Sequence, residues 1–164
     1  MKITLLLFLT SISGFFFAQT PTLDWAVSTG NTGDDISRDI AVDSLGNVYS
    51  CGNFQGTVDF DPGPGISSLS ATGSNAFFIQ KLDANGGFLW AVHVDAPNGI
   101  SGLTVDQDQN VIATGNYSGT ADFDPGIDTV EITSNGETDI FVAKSDSLGN
   151  YIWAVGFGGT NAVC

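Results

Sequence analysis

A twelve-residue stretch, Gly52-Asn-Phe-Gln-Gly-Thr-Val-Asp-Phe-Asp-Pro-Gly63, returns sixty-three residues later as Gly115-Asn-Tyr-Ser-Gly-Thr-Ala-Asp-Phe-Asp-Pro-Gly126. At that offset 21 of the 54 pairs from Asp39/Gly102 to Val92/Val155 are identical, including Asp43/Asp106, Asn47/Asn110, Lys81/Lys144 and Trp90/Trp153. A fixed period of this length means tandem supersecondary units. No such unit buries its apolar face alone, so each stacks on the next. The units fall at about 28–92 and 93–155.

Within each period, short β-branched and aromatic runs alternate with Asp/Asn/Gly clusters, the signature of hairpins. The first copy reads as strands over Ile40–Asp43, Val48–Phe54, Ala76–Leu82 and Phe88–Val94. The second reads as Leu103–Asp106, Val111–Tyr117, Ile140–Lys144 and Tyr151–Val155. Two hairpins per copy predict an all-β fold of tandem four-stranded antiparallel meanders. The apolar runs Phe77-Phe-Ile and Ile140-Phe-Val do not alternate, which predicts strands covered on both faces, with Phe78 and Phe141 at matching buried positions.

Composition agrees. Sixteen of the 18 acids are Asp, a turn residue, and only Glu131 and Glu137 are Glu, a helix former. With 42% apolar residues the chain has enough to build a core. Its formal net charge of −14 disfavours nucleic acid and anionic membrane surfaces as partners.

Residues 1–18 read as an export signal: Lys2, then a mostly apolar run from Ile3 to Phe17, then Ala18 as the small residue before cleavage. The run falls short of the ~20 residues that span a bilayer, so no membrane span is expected. The mature region, 19–164, is therefore expected to be secreted or at the cell surface. Cys51 and Cys164 form no disulfide framework, and the plain reading is a buried thiol and a terminal one.

Leu23-Asp-Trp-Ala-Val27 matches the fourth strand of each copy, Trp90-Ala-Val and Trp153-Ala-Val, yet no first three strands precede it. Such a strand is expected to complete a sheet built elsewhere. The recurring Trp reads as a packing wedge between sheets, with a sugar-stacking platform as the other role open to it.

The pattern Asp-x-x-Gly-Asn-Val-Tyr, Gly-Asn-Phe-x-Gly-Thr-x-Asp-Phe-Asp-Pro-Gly, Phe-x-x-Lys-x-Asp-x-x-Gly and Trp-Ala-Val resembles the bacterial β-propeller repeat often labelled SBBP. The resemblance covers roughly residues 23–160. It implies about two propeller blades of ~63 residues, an incomplete propeller given the ~4–8 blades a ring needs, in an exported or cell-surface protein. It implies no settled activity.

The residues that bear on chemistry are few. Asp59 and Asp61, with Asp122 and Asp124 in the second copy, place alternate hard oxygens on one side of an extended loop, which suits Ca²⁺ with backbone carbonyls added. The same Asp-Pro-Gly sequence also makes a tight turn, with Pro fixing φ, Gly taking a positive φ and Asp capping the backbone. Ca²⁺ is the one cofactor these residues point to. Lone His93 has no partner of zinc-ligand type, and Ser118 falls one place late for a nucleophile elbow. The chain thus reads as an exported non-catalytic module for surface display, adhesion or ligand binding, with an extracellular protein or glycan as partner. The alternative is the N-terminal fragment of a propeller enzyme acting on polysaccharide, its catalytic residues downstream. The isolated chain is expected to self-associate through unpaired outer sheet faces.

Overall fold

The turns are closed by the side chains the repeat places in them. Asp43 Oδ1 accepts from the backbone N–H of Leu45 and Asn47, both at 2.9 Å, and Asp43 Oδ2 accepts from the Asn47 amide at 2.8 Å. Asp106 and Asp146 hold their turns through Asn110 and Asn150 in the same way. Each turn needs one residue in the left-handed region, which Gly46, Gly86 and Gly149 supply; Gln109 takes that conformation at φ 65° where the others have glycine.

These turns join the strands of an all-β chain. The computed structural model describes residues 22–160. The segment read as an export signal and Cys164 lie outside the described residues. Twelve strands follow one another: β1 (Ile36–Val42), β2 (Val48–Phe54), β3 (Thr57–Asp59), β4 (Ser68–Ser70), β5 (Ala76–Leu82), β6 (Phe88–Val94), β7 (Ile100–Val105), β8 (Val111–Tyr117), β9 (Thr120–Asp122), β10 (Glu131–Thr133), β11 (Asp139–Ser145) and β12 (Tyr151–Phe157). They form two four-stranded antiparallel sheets, β1-β2-β5-β6 and β7-β8-β11-β12, one per repeat. Each is a meander interrupted between its second and third strands by a small hairpin, β3-β4 or β9-β10. The two units are blade-like, and the described sheets do not close a ring.

The small hairpins do not show in the sequence. Three-residue strands are too short to show a period, and their sequence reads as loop. β1 and β7 also begin earlier than their alternation implies, at Ile36 and Ile100. A register shift in each, between Ser37 and Asp39 and between Ile100 and Gly102, breaks the period of two. The bulged backbone crosses the glycine that opens the repeated motif. A Cβ on Gly52 would collide with the carbonyl of Ile36, and one on Gly115 with that of Gly99.

The main core lies between the sheets. Tyr49, Cys51, Phe77 and Ile79 of the first sheet face Leu103, Val111, Ala113 and Phe141 of the second. Phe77 stacks on Phe141 with ring centroids 5.2 Å apart and planes 11° apart. A smaller cluster on the far side of the first sheet gathers Phe54, Val58, Phe60, Ala76 and Phe78. The repeat is visible in this packing. Phe54, Phe60 and Phe78 form an aromatic trio in the first unit, with Phe54–Phe60 5.4 Å apart and Phe60–Phe78 4.7 Å apart. Tyr117, Phe123 and Phe141 repeat it at 5.4 and 5.0 Å. Phe78 and Phe141 are both buried, as their matching positions require.

One expectation needs correction. Every residue of β5 is buried, but in β11 Ile140 and Val142 are only half-buried. The outer face of β11 has no third sheet against it among the described residues, so an apolar run does not guarantee cover on both sides.

Leu23–Val27 forms no strand; the chain from 22 to 31 is irregular. Trp25 is nevertheless held in a defined seat. Its indole N–H donates to the Ala84 carbonyl at 3.0 Å, at the tip of the first unit's β5-β6 turn. No helix among the described residues is long and apolar enough to cross a membrane.

Candidate functional site

The two Asp-Phe-Asp-Pro-Gly loops follow β3 and β9 and share one frame. Asp59 Oδ1 accepts from the backbone N–H of Asp61 at 3.0 Å and of Ser67 at 2.8 Å. Asp61 Oδ1 accepts from Gly63 N–H at 2.7 Å. In the second copy Asp122 Oδ1 accepts from Asp124 at 3.1 Å and Val130 at 2.8 Å, and Asp124 Oδ1 accepts from Gly126 at 2.7 Å. The intervening Phe60 and Phe123 point inward and are buried in the aromatic trios. Alternate residues of an extended segment face opposite ways, so the buried ring fixes the two carboxylates outward.

This arrangement caps backbone donors, which is what Asp does in tight turns. Among the described residues no group of three or more His, Cys, Asp or Glu side chains is placed to hold a metal ion. Beyond the frame the loop tips differ. Pro64-Gly65-Ile66 in the first copy stands where Ile127-Asp128-Thr129 stands in the second. Ile66 is exposed and Ile127 fully so.

The second loop borders a cleft of about 320 Å³ between the units, lined by Asp124, Pro125, Ile127, Asn150 and Tyr151, with Val92 from the first unit. A larger apolar cavity, about 350 Å³, lies on the outer face of the first sheet against Phe54, Phe78 and Leu82.

The joint between units is built from repeat residues. The Trp90 indole N–H donates to the Ser147 carbonyl at 3.1 Å, and Lys81 Nζ donates to the same oxygen at 3.3 Å. Buried Asn53 accepts from Ile100 N–H at 3.1 Å, and Asp39 accepts from Leu103 N–H at 3.0 Å. The bond to Leu103 holds the Asp39 carboxyl below its ordinary pKa. Lys81 also lies 4.8 Å from the centre of the Tyr49 ring. In the second copy Ile112 replaces that tyrosine, and Lys144 instead donates to Asp106 at 2.7 Å. This bond, with help from Asn110, holds the Asp106 carboxyl well below the usual carboxylate range.

The remaining reactive groups have structural surroundings. Cys51 is wholly buried between the sheets. Burial first, and Asp39 second, push its thiol up to about 12, so it is protonated at neutral pH. His93 is half-buried, edge-on to Phe54 at 5.9 Å and 4.0 Å from Asp95.

The two copies also differ in how an aspartate anchors the chain beside the third strand. Asp95 follows β6 and accepts from Thr72 N–H; Asp139 begins β11 and accepts from Asn135 N–H, at the position equivalent to Thr72. Where the first copy has Ala76 and Asp95, the second has Asp139 and Gly158. A Cβ on Gly158 would collide with the Asp139 carboxylate, so the two positions exchange one anchor between them.

Two comparisons bear on this architecture. The profile of the beta-propeller repeat family SBBP matches residues 24–53, from the residue before Trp25 into β2. An uncharacterized WD repeat-containing protein of Acanthamoeba polyphaga mimivirus is 26% identical over 113 residues, covering 59% of this chain. The chain spans only 8% of that protein's length. Together with the two four-stranded meanders, both matches support a propeller-type repeat protein.

Proposed function

We propose that the chain is an exported, non-catalytic propeller-repeat module that binds an extracellular protein or glycan through its loop tips. The observation that carries this reading is the pair of Asp-Phe-Asp-Pro-Gly frames. Their equivalent hydrogen bonds agree to within the difference between 3.0 and 3.1 Å, while Pro64-Gly-Ile66 and Ile127-Asp-Thr129 differ at every position. A constant frame with variable exposed tips is how rigid scaffolds present binding residues. The inter-unit cleft beside Asp124 adds an aromatic, Tyr151, and an amide, Asn150, groups that suit a sugar or a peptide edge.

Export follows from residues 1–18, and is tested by cell fractionation with N-terminal sequencing of the product. Binding is tested on glycan arrays and on panels of extracellular proteins, using the chain and a variant with Ile127→Ser and Tyr151→Ala. Loss of binding with an unchanged melting temperature supports the reading. Equal binding by both proteins contradicts it. Release of reducing ends from a polysaccharide would overturn the non-catalytic part.

A further inference from the structure

Among the described residues, the joint between the two units leaves half of itself open at each end of the pair. On the outer face of the second sheet, Trp153, Val155 and Phe157 stand where Trp90, Val92 and Val94 stand in the first, and they are 39%, 48% and 49% exposed. On the outer face of the first sheet, Ile40 stands where Leu103 stands in the joint. Leu103 is 9% exposed and Ile40 is 64% exposed. Phe77 fills the space over Phe141 in the joint; the corresponding space over Phe78 is the 350 Å³ cavity. One outer face therefore carries the projecting half of the joint and the other carries the receiving half.

The chain covers part of the receiving half itself. Trp25 donates to Ala84 and lies against Gly86, as Trp90 donates to Ser147 and lies against Gly149. These are the same seat, one repeat apart. Trp90 is fixed there by β6, whereas the segment around Trp25 pairs with no strand. Its hold is that of a side chain on a tether.

We propose that a second copy of this chain docks head to tail, its Trp153 face on the Ile40 face of the first, with the incoming Trp153 taking the seat that Trp25 occupies in the free chain. The contact is heterologous, so each copy keeps one open face after docking and association continues. Trp25 is an internal competitor: docking needs the seat empty, and apparent affinity falls by the fraction of time it is filled. Gly102 stands where Asp39 stands, so the copy-to-copy joint lacks the carboxylate bond that Leu103 N–H finds within the chain. It is the weaker of the two joints.

Sizing chromatography with light scattering over a concentration series tests this. The chain should associate as concentration rises. Trp153→Glu and Ile40→Glu, both at exposed sites, should each be monomeric, and an equimolar mixture should form one-to-one dimers and nothing larger. Trp25→Ala should move half-association to lower concentration, by about tenfold if the seat is filled nine-tenths of the time. A wild-type chain that stays monomeric, a mixture that stays monomeric, or weaker association in Trp25→Ala would overturn the proposal. Should either glutamate variant lose its cooperative melt, Val155→Glu and Val42→Glu, also exposed, replace them.

Discussion

Trp90 of the first unit reaches the turn of the second, its indole N–H donating to the Ser147 carbonyl at 3.1 Å. The bond joins a strand to a turn fifty-seven residues away and is drawn from positions that recur with the period. It explains why the Trp returns at each fourth strand: the ring packs edge-on to Tyr49, 6.1 Å away, while its polar edge caps the neighbouring unit.

Replacing Trp90 by Phe should therefore destabilise the chain by about 1 kcal/mol through the lost hydrogen bond. Trp153→Phe, whose ring is exposed, should stay within about 0.5 kcal/mol of wild type. Urea titrations of the two variants make the comparison.

The aromatic trios predict an asymmetry between equivalent residues. Phe141 is fully buried beneath Phe77, so Phe141→Ala should cost ~3–5 kcal/mol. Phe78 borders the open cavity, so Phe78→Ala should cost less. Equal losses in chemical denaturation would mean that both faces are covered alike.

The Asp106–Lys144 pair should leave a mark on the acid limb of stability. Its folded-state carboxyl is depressed, chiefly by the Lys144 bond, so its contribution is present above the unfolded value near ~3.9 and disappears as pH falls through the folded one. In Lys144→Met the stability lost between about pH 5 and pH 2 should be smaller than in wild type. An unchanged slope in denaturant titrations at several pH values would remove the pair from the account.

At the Asp59/Asp61 and Asp122/Asp124 loops, one oxygen of each carboxylate already accepts backbone N–H groups. Turn closure then predicts that calcium moves the melting temperature no more than magnesium does. It also predicts that Asp61→Asn with Asp124→Asn melts close to wild type, since an amide oxygen also accepts. A calcium-specific shift lost in the double variant would identify the loops as calcium sites.

The strands bounded by Asp/Asn/Gly turns on both sides were legible to the residue: β2, β5, β6 and β8 run as read. Their ends are marked by side chains that bond their own turn. Where the backbone bulges, at Ser37 and Ile100, the alternation that marks a strand fails and the strand starts are hidden. The hairpins β3-β4 and β9-β10 are held by three residue pairs each, too few to show a pattern. The recurring Trp was legible as a wedge, but its acceptor depends on stacking and so does not show in local sequence. At the loops, the choice of Asp was legible, while its partners eight residues onward were not.

The central claim is that the two repeats stack face to face through Phe77 and Phe141, and a double-mutant cycle on that pair tests it most directly. Stabilities of Phe77→Ala, Phe141→Ala and the double variant should show a coupling of roughly 0.5–1.5 kcal/mol, as expected of contacting aromatic rings. Additive losses, with coupling near zero, would mean that the rings do not touch and that the units are not stacked as described.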